Sequence, residues 1–316
     1  MFYTTPYYST VTPHYSILHH TTQYYTILNN TTQHYSILLN TTQPYTIMKK
    51  ILTILALAIS AMTMMAQERY GKLYYIVVRN QGSYSASVVH HEKYKKLQSI
   101  AIPDYITYKG NTAPVIDISE FAFHKCFSLT SITIPNSVTE IGDNAFYDCS
   151  ALTSISIPRN VTTIGMQAFS NCSSLTSITI PRNVTTIGER AFFNCSSLTN
   201  IVVEEGNTHY DSRNHCNAII ETATNALIIG CPNTIIPNSV TEINELAFFG
   251  CDALTSITIP HSVTTIQYRA FEACTSLKTI IFDGTMEEWQ AVEKGNLWHF
   301  RTPATHVQCT DGEVEL

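Results

Sequence analysis

Charged residues are missing from the start of the chain. Aspartate, glutamate, lysine and arginine make up 13% of the 316 residues, yet none occurs in residues 1–47. This segment repeats every ten residues, and the tyrosines in register are Tyr15, Tyr25, Tyr35 and Tyr45. Such a low-complexity repeat has no pattern for a packed core, and a translated tandem DNA repeat would produce it. We predict that the real protein starts at Met48 and that residues 1–47 are not part of it; a genuine Tyr/Thr-rich tail, disordered or prone to β-structure, is the alternative.

Long hydrophobic runs are also scarce. Crossing a bilayer as a helix takes about 20 apolar residues, and no run of that length follows Ala66. The apolar stretch 51–61 is shorter; it follows two lysines and precedes the pair Ala66 and Gln67. A basic start, a short apolar core and a small residue at the end are the parts of a secretory signal peptide. We predict a signal peptide over residues 48–66 with cleavage after Ala66, an uncleaved anchor being the alternative, and therefore an exported protein that is extracellular, at the cell surface or in the periplasm.

Positive charge is in deficit. Removing residues 1–66 takes away two lysines and no acidic residue, which leaves 16 basic and 24 acidic residues and a net charge of −8. A chain of this charge has no bulk attraction to nucleic acid or to an anionic membrane surface. We therefore expect no nucleic-acid partner, and no integral membrane span in the mature chain.

Motifs for catalysis or metal binding are lacking as well. No Ser/His/Asp arrangement, glycine-rich phosphate loop or pair of carboxylates stands out. The strongest candidate for a metal site consists of His209, Asp211, His215 and Cys216. The spacing of these residues fits no zinc template. We expect that the protein is not an enzyme and has no catalytic residues, no metal site and no cofactor.

What the sequence does contain is a repeat of 23 residues. LTSITIPNSVTEIGDNAFYDCSA begins at Leu129, near copies begin at Leu152 and Leu175, and another begins at Leu254. A period of about 20–29 residues with L-x-x-I-x-I is that of leucine-rich repeats, whose coils stack because one coil cannot bury its apolar face alone. The fold class predicted is α/β or mainly β: a solenoid of 23-residue coils with short parallel strands, short helical turns and terminal caps.

The apolar positions indicate how each coil is arranged. In LTSITIP the leucine and both isoleucines point inward, and the proline ends the strand because it has no N–H for a ladder. The chain then turns, and the valine and isoleucine of VTEI return to the core. We expect Ala145 and Phe146 to fill the core from a short helical turn. The phenylalanines of successive coils should lie in one internal file made of Phe123, Phe146, Phe169 and Phe192.

The repeat also predicts the domain organisation. The leucine-rich repeat solenoid extends over residues 97–284, and it contains an irregular long unit over 198–253 in which the period is broken. Solenoid ends need caps. We predict an N-terminal cap over residues 67–96 and a C-terminal cap over residues 285–316.

The C-terminal cap carries two signals of its own. Thr285 and Glu288 have the T-x-x-E spacing of a capping box and predict a short helix through about Val292. The only tryptophans of the chain, Trp289 and Trp298, both lie here. We interpret them as covering the open face of the last coil; an exposed aromatic ligand platform is the alternative.

The irregular unit contains two cysteines that could pair. If NAIIETATNALII is a hairpin with Ala223 and Thr224 as its turn, Cys216 falls opposite Cys231, within disulfide range. An exported protein meets an oxidising compartment, so we predict a Cys216–Cys231 disulfide. The cysteines that recur with the repeat are expected to be buried free thiols, namely Cys126, Cys149, Cys172, Cys195, Cys251 and Cys274.

Three motifs show that residues 70–316 resemble the BspA-like bacterial surface antigens, which carry a distinctive leucine-rich repeat. The motifs are LTSITIPxxVTxIGxxAFxxC, the long unit YDSRNHCNAIIETATNALIIGC, and GTMEEWQAVEKG followed by CTDGEV. The resemblance implies export to the surface of host-associated anaerobes and adhesion to host matrix proteins or to other cells. It supplies no shared catalytic residues.

The outward strand positions form the candidate ligand surface, which we call the hydroxyl ribbon. Its members are Ser131, Thr133, Ser154, Ser156, Ser177, Thr179, Ser256 and Thr258. We expect this uncharged surface to bind a protein or glycan on a host or neighbouring cell. Two alternatives remain: the hydroxyls merely suit a solvent-facing parallel sheet, or the irregular segment 203–235 makes the contact. The function predicted is an exported binding module for adhesion, the alternative being a structural or scaffolding protein of the envelope without a dedicated ligand.

Overall fold

The computed structural model describes residues 66–316, with side chains from Glu68 onward. The decapeptide segment and the predicted signal peptide lie outside these residues, apart from Ala66, where the first strand begins. The first strands in chain order are β1 (Ala66–Tyr70), β2 (Leu73–Asn80), β3 (Ser83–Val88), β4 (Ser99–Ala101), β5 (Tyr105–Tyr108), β6 (Asn111–Ile118), β7 (Ser131–Thr133), β8 (Glu140–Ile141), β9 (Thr163–Ile164), β10 (Ser177–Ile180), β11 (Thr186–Ile187) and β12 (Asn200–Val203).

The second part of the described chain also consists mainly of short strands. Its strands are β13 (Tyr210–Asp211), β14 (Ile219–Glu221), β15 (Ala226–Ile229), β16 (Glu242–Ile243), β17 (Ser256–Pro260), β18 (Thr265–Ile266), β19 (Thr279–Asp283), β20 (Glu293–Lys294), β21 (His306–Cys309) and β22 (Gly312–Glu315). Helix α1 (Met286–Ala291) lies in the C-terminal cap, and short 3₁₀ turns lie at Glu92–Lys96 and Arg213–His215. The fold is therefore the predicted solenoid, and it is mainly β.

The first side of each coil is the predicted LTSITI strand. Ile132 and Ile134 are buried while Ser131 and Thr133 are exposed, as the alternation of a strand requires. β4 pairs in parallel with β7, β10 with β12, β17 with β19, and β19 with β21. In the coil between β7 and β10 the pairing shrinks to a single bridge, Ser154 to Ser177.

The second side of each coil is a ladder of two-residue strands at the VTxI positions. β8, β9 and β11 pair in parallel, as do β16, β18 and β20. At this side Gly165 allows close approach, because a Cβ there would lie 2.5 Å from the Asp143 nitrogen of the preceding coil. The sequence marks the valine and isoleucine as core residues, but two residues are too few for a strand periodicity to be recognised.

The third side carries the phenylalanines and is not the predicted helical turn. Asn144 and Asp148, which flank Ala145 and Phe146, have positive φ angles of 55° and 61°. The amide of Phe146 donates to the carbonyl of Ala168 in the next coil at 2.7 Å instead of to a helical partner in its own coil. The two left-handed residues turn alternate amides toward the neighbouring coil, so this side too is a hydrogen-bonded ladder.

The N-terminal segment 67–96 caps the stack with an antiparallel meander. β1, β2 and β3 pair in sequence, and β3 then pairs in parallel with β6 of the first coil. Tyr75 and Tyr94 are buried beneath it. The insertion that follows the first strand-like segment forms the hairpin of β5 and β6. The meander therefore gives the first coil a paired neighbour.

The C-terminal cap has both predicted features. The Thr285 hydroxyl accepts from the Glu288 amide at 3.2 Å, and the Glu288 carboxylate accepts from the Thr285 amide at 2.8 Å, which is the reciprocal capping box. Trp289 and Trp298 are 2% and 6% exposed and pack edge to face with ring centres 5.7 Å apart. Both tryptophans cover the last coil and neither is an exposed platform.

The phenylalanine file exists but is interrupted. Ring centres from Phe123 to Phe146, Phe169 and Phe192 are 5.2–5.3 Å apart, and a second file runs from Phe248 to Phe271. Between the files the phenylalanine position is occupied by Gly230, whose amide donates to Ala247 as the amides of the phenylalanines do to the matching alanines. The apolar core accordingly consists of two clusters that meet at the irregular unit.

The predicted disulfide is not formed. The hairpin of β14 and β15 has the expected register at its tip, with Glu221 opposite Ala226, but a bulge shifts the register between Ile219 and Ile220. Cys216 and Cys231 are both free and buried, and their thiols are directed at different carbonyls, those of Ala218 and Asn217. The bulge and the end of the strands at Ile219 remove the direct opposition that the pairing required.

Candidate binding surface

All members of the hydroxyl ribbon occupy equivalent positions on the first side of the coils. Seven are exposed and Ser177 is half-buried. Backbone hydrogen bonds keep successive coils in register. The Thr153 amide donates to the Thr130 carbonyl, and the Thr176 amide donates to the Thr153 carbonyl. The structure therefore brings the predicted residues to one side of the stack.

The hydroxyls on this side fall into two groups with different roles. In four coils the threonine that follows the buried leucine donates its hydroxyl to a carbonyl of the preceding coil at 2.9–3.4 Å, and these threonines are Thr130, Thr153, Thr176 and Thr199. Within residues 68–316 no side chain of the ribbon makes a hydrogen bond to protein. The first group stabilises the stack, whereas the ribbon hydroxyls are left to water or a ligand. The sequence motif LTSIT does not distinguish the two groups.

The middle of the ribbon is apolar rather than hydroxyl-bearing. Val202 pairs with Thr179 across β10 and β12 and is 40% exposed. Ile235, two residues before Pro237 as Thr133 is before Pro135, is 75% exposed. Sequence reasoning missed both, although aligning NTIIP with SITIP would have indicated Ile235.

The loops after the strands place arginines beside the ribbon. Arg159 is exposed and lies 3.8 Å from the Glu204 carboxylate, which also accepts from the Arg182 amide at 3.2 Å. The Asn183 side chain donates to the Arg159 carbonyl at 2.8 Å and fixes the loop spacing. The rim of the ribbon thus carries both charge signs.

A second concave feature lies where the two core clusters meet. A cleft of about 430 Å³ separates the coil that ends at Cys195 from the coil that ends at Cys251. An ion pair of 2.6 Å between Arg190 and Glu245 crosses it, and the rings of Phe193 and Phe249 lie 4.3 Å apart beside it. Gly230 lines this cleft, and its Cα also faces the Phe248 ring.

Side chains of the candidate metal cluster in the irregular unit contact neighbouring protein side chains instead. Asp211 binds Arg213 at 2.6 Å and 2.8 Å, and His209 contacts the Thr208 hydroxyl at 3.1 Å. Among the residues that the structure describes, no three His, Cys, Asp or Glu side chains come together in a way that could hold a metal ion. No described helix is long and apolar enough to cross a bilayer.

Four of the repeat cysteines donate thiol hydrogen bonds inside the stack, namely Cys149, Cys172, Cys195 and Cys274. Burial raises the pKa of the Cys172 thiol, and it raises the pKa of Cys195 to about 12. A thiol with a raised pKa is a poor nucleophile. These cysteines therefore have a structural role.

Comparison with family models then gives a match over more than half of the chain. Six copies of the BspA type leucine rich repeat region match residues 116–226 and 228–293. The chain belongs to the BspA-type leucine-rich repeat family. The two matched ranges meet within β15, so the irregular unit is part of the BspA-type region.

One of the similar solved structures, from Eubacterium ventriosum, has a TM-score above 0.5 and shows the same fold. A leucine-rich repeat protein from Eubacterium ventriosum ATCC 27560 is 20% identical with a TM-score of 0.54, over 78% of this BspA-type chain and 72% of that one. One from Bacteroides ovatus ATCC 8483 is 24% identical with a TM-score of 0.49, over 76% of this chain and 58% of that one. The pneumococcal vaccine antigen PcpA is 16% identical with a TM-score of 0.41, over 78% and 88%. The comparison with curated proteins finds no match.

Proposed function

We propose that this protein is an exported binding module that adheres to a protein or glycan of a host or neighbouring cell through the hydroxyl ribbon. The observation that carries the proposal is the division of the hydroxyls. The hydroxyls of four threonines bond the stack, whereas those of Ser131, Thr133 and the other ribbon members have no protein partner within the described residues; the four are Thr130, Thr153, Thr176 and Thr199. A regular array of free donors and acceptors suits a polar macromolecular surface.

The ribbon has the chemistry of an adhesive surface in two further respects. Its exposed apolar centre, Val202 and Ile235, offers area that gains free energy when it is covered. Its flanking arginines, Arg159 and Arg182, can bind acidic groups of a partner. Export and surface location belong to the same proposal, and they depend on the signal peptide over residues 48–66 and on its cleavage after Ala66.

The binding experiment uses immobilised matrix proteins and a glycan array with the purified protein. Thr133→Lys, Thr179→Lys and Thr258→Lys should each reduce retention, because a long cation then covers the hydroxyl surface. Thr186→Lys is the matched control, since it places the same change at an exposed threonine of β11 on the second side of the coil. If no surface retains the wild type, the scaffold function replaces the adhesive one. If the control loses binding equally, the protein binds but not through the ribbon.

Export is tested separately by fractionating the source cells and sequencing the mature N-terminus. The proposal expects Gln67 as the first residue and the protein outside the cytoplasm. A peptide from residues 1–47 in the cell extract would show that translation starts before Met48.

A further inference from the structure

A groove of about 420 Å³ lies at the N-terminal end of the solenoid, where the hydroxyl ribbon stops. The turn between β1 and β2 forms one wall, with Tyr70, Lys72 and Tyr75. The other wall is β4 and the residue pair that follows it, with Ser99, Ala101 and Pro103. The lining is largely apolar, and Leu73 and Ile100 are both buried within it.

The β4 wall is an open sheet edge. Among the strands of residues 66–316, β4 pairs only with β7. The Ile102 amide donates to Thr133 at 3.0 Å, and the Ser131 amide donates to Gln98 at 3.3 Å. Because alternate residues of a strand bond the same neighbour, the N–H and C=O groups of Ser99 and Ala101 are directed away from β7, toward the groove.

This edge carries only part of the usual protection against strand addition. Short length, proline, charged side chains and bulges all protect edge strands; β4 is short and is followed by Pro103, but it has no charged side chain and no bulge. The other end of the same side of the solenoid is different, because β22 carries Glu313 and Glu315. The N-terminal edge is therefore the one left open to another strand.

A buried donor without an acceptor lies in the groove wall. Tyr75 is 0% exposed, and its hydroxyl has no hydrogen-bond partner within residues 68–316. Burial and the neighbouring phenols of Tyr94 and Tyr70 raise its pKa, so it stays a protonated O–H donor. Buried polar groups are nearly always satisfied, and an orphaned one needs a reason.

The positive charge around the groove favours an acidic partner. Residues 67–96 contain six basic and two acidic residues, although the whole chain has a net charge of −6. Lys72 lies at the groove, is exposed, and makes no ion pair within the described part of the chain. Acidic side chains would therefore be attracted to this end of the molecule.

We propose that this groove binds an extended acidic peptide segment of a partner protein by strand addition to β4. Its backbone pairs with Ser99 and Ala101, its apolar side chains enter the groove, and its carboxylates approach Lys72; the Tyr75 hydroxyl gains an acceptor from the bound segment. Main-chain hydrogen bonds supply affinity in this mode and alternate side chains supply specificity. The proposal does not depend on the hydroxyl ribbon.

The probe is a fluorescein-labelled synthetic peptide of alternating glutamate and valine, titrated with the purified protein and followed by anisotropy. Ala101→Pro removes an outward N–H that the internal ladder does not use, and Lys72→Glu reverses the charge at the groove. Each should weaken binding by about fivefold or more. Tyr75→Phe should also weaken it while leaving the free protein at least as stable. Lys278→Glu is the charge-matched control, since it lies on an exposed site of a distant coil.

The outcomes separate this site from the others. A peptide N-methylated at alternate residues, which cannot pair as a strand, should not bind. Equal binding of that peptide, unchanged affinity in both groove variants, or no binding of the probe overturns the proposal. So does concentration-dependent self-association in sedimentation that Lys72→Glu abolishes, because a second copy would then be the occupant. Thr179→Lys should leave probe binding unchanged whether or not the ribbon is adhesive.

Discussion

The thiol of Cys149 donates a hydrogen bond to the carbonyl of Phe123, 3.1 Å away and one coil earlier in the stack. The same contact recurs from Cys172 to Phe146, from Cys195 to Phe169 and from Cys274 to Phe248 at 3.0–3.3 Å. These four cysteines therefore link the phenylalanine of one coil to the coil that follows it. This use explains a thiol at a position where packing alone would accept another small apolar residue.

Replacing one of these thiols should destabilise the stack. Cys172→Ala removes a buried donor and leaves a small cavity, so we expect the free energy of unfolding to fall by about 1–3 kcal/mol. Urea denaturation followed by circular dichroism measures it. Cys309→Ala is the control, because Cys309 is half-buried and outside the file. Equal losses at both positions would contradict a specific role for the repeat thiol.

Close approach on the second side of the coil should make Gly165 intolerant of a side chain. A Cβ at this position would meet the backbone nitrogen of Asp143 at 2.5 Å, and backbone cannot move aside cheaply. We expect Gly165→Ala to lower the thermal midpoint, with a loss of about 1–3 kcal/mol in stability. Gln267 holds the same place in a later coil and already carries a side chain, so Gln267→Ala should lose less than about 1 kcal/mol. A Gly165→Ala protein as stable as wild type would show that the coils can separate locally.

Substitutions of Gly230 and Phe248, which lie at the break in the phenylalanine file, should have coupled effects on stability. A Cβ at Gly230 would overlap the Phe248 ring, so Gly230→Ala should cost about 1–3 kcal/mol by overpacking. Shortening the ring with Phe248→Leu makes room, and the double variant should therefore lose less stability than the two single losses combined, by about 1 kcal/mol. The same cycle with Phe271→Leu should be additive. Additivity in both cycles would indicate that Gly230 does not press on Phe248.

Acid should weaken the N-terminal part of the solenoid through His124. Burial between Phe121 and Tyr147 lowers the pKa of His124 from 6.5 to about 4, with Lys125, His90 and Lys95 adding to the shift and Glu92 opposing it. The unfolded chain therefore binds this proton more readily than the folded one between pH 6.5 and about 4. The stability that the protein gains from a neutral His124 is complete above pH 6.5 and is lost as the pH falls from 6.5 to about 4.

The measurement is the urea midpoint of wild type and His124→Gln at intervals between pH 7 and about pH 4. Carboxylates also titrate in this range, so the difference between the two proteins carries the information. Wild type should lose more stability than the variant as the pH falls. Parallel curves would mean that His124 titrates alike in the folded and unfolded chain.

Much of the fold could be predicted because the repeat places chemically specific residues at fixed intervals. The inward file of Phe123, Phe146, Phe169 and Phe192, the capping box of Thr285 and the burial of both tryptophans follow from local spacing and side-chain character. The eight ribbon positions followed from strand alternation in the same way. What failed is non-local: the expected Cys216–Cys231 disulfide depends on a register that a bulge at Ile219 and Ile220 changes.

The sequence by itself determined the period, the strands on the first side of the coil, the capping box at Thr285 and the family, because each depends on residues close together in the chain. Only the tertiary structure decided that the Phe146 amide bonds the next coil from between two left-handed residues and that Gly230 divides the core. It also decided that the Thr130 hydroxyl is used internally while that of Thr133 is free. The physical reason is that backbone hydrogen bonds between coils depend on how neighbouring coils meet. A side-chain pattern within one coil carries no record of which polar groups those contacts leave unpaired.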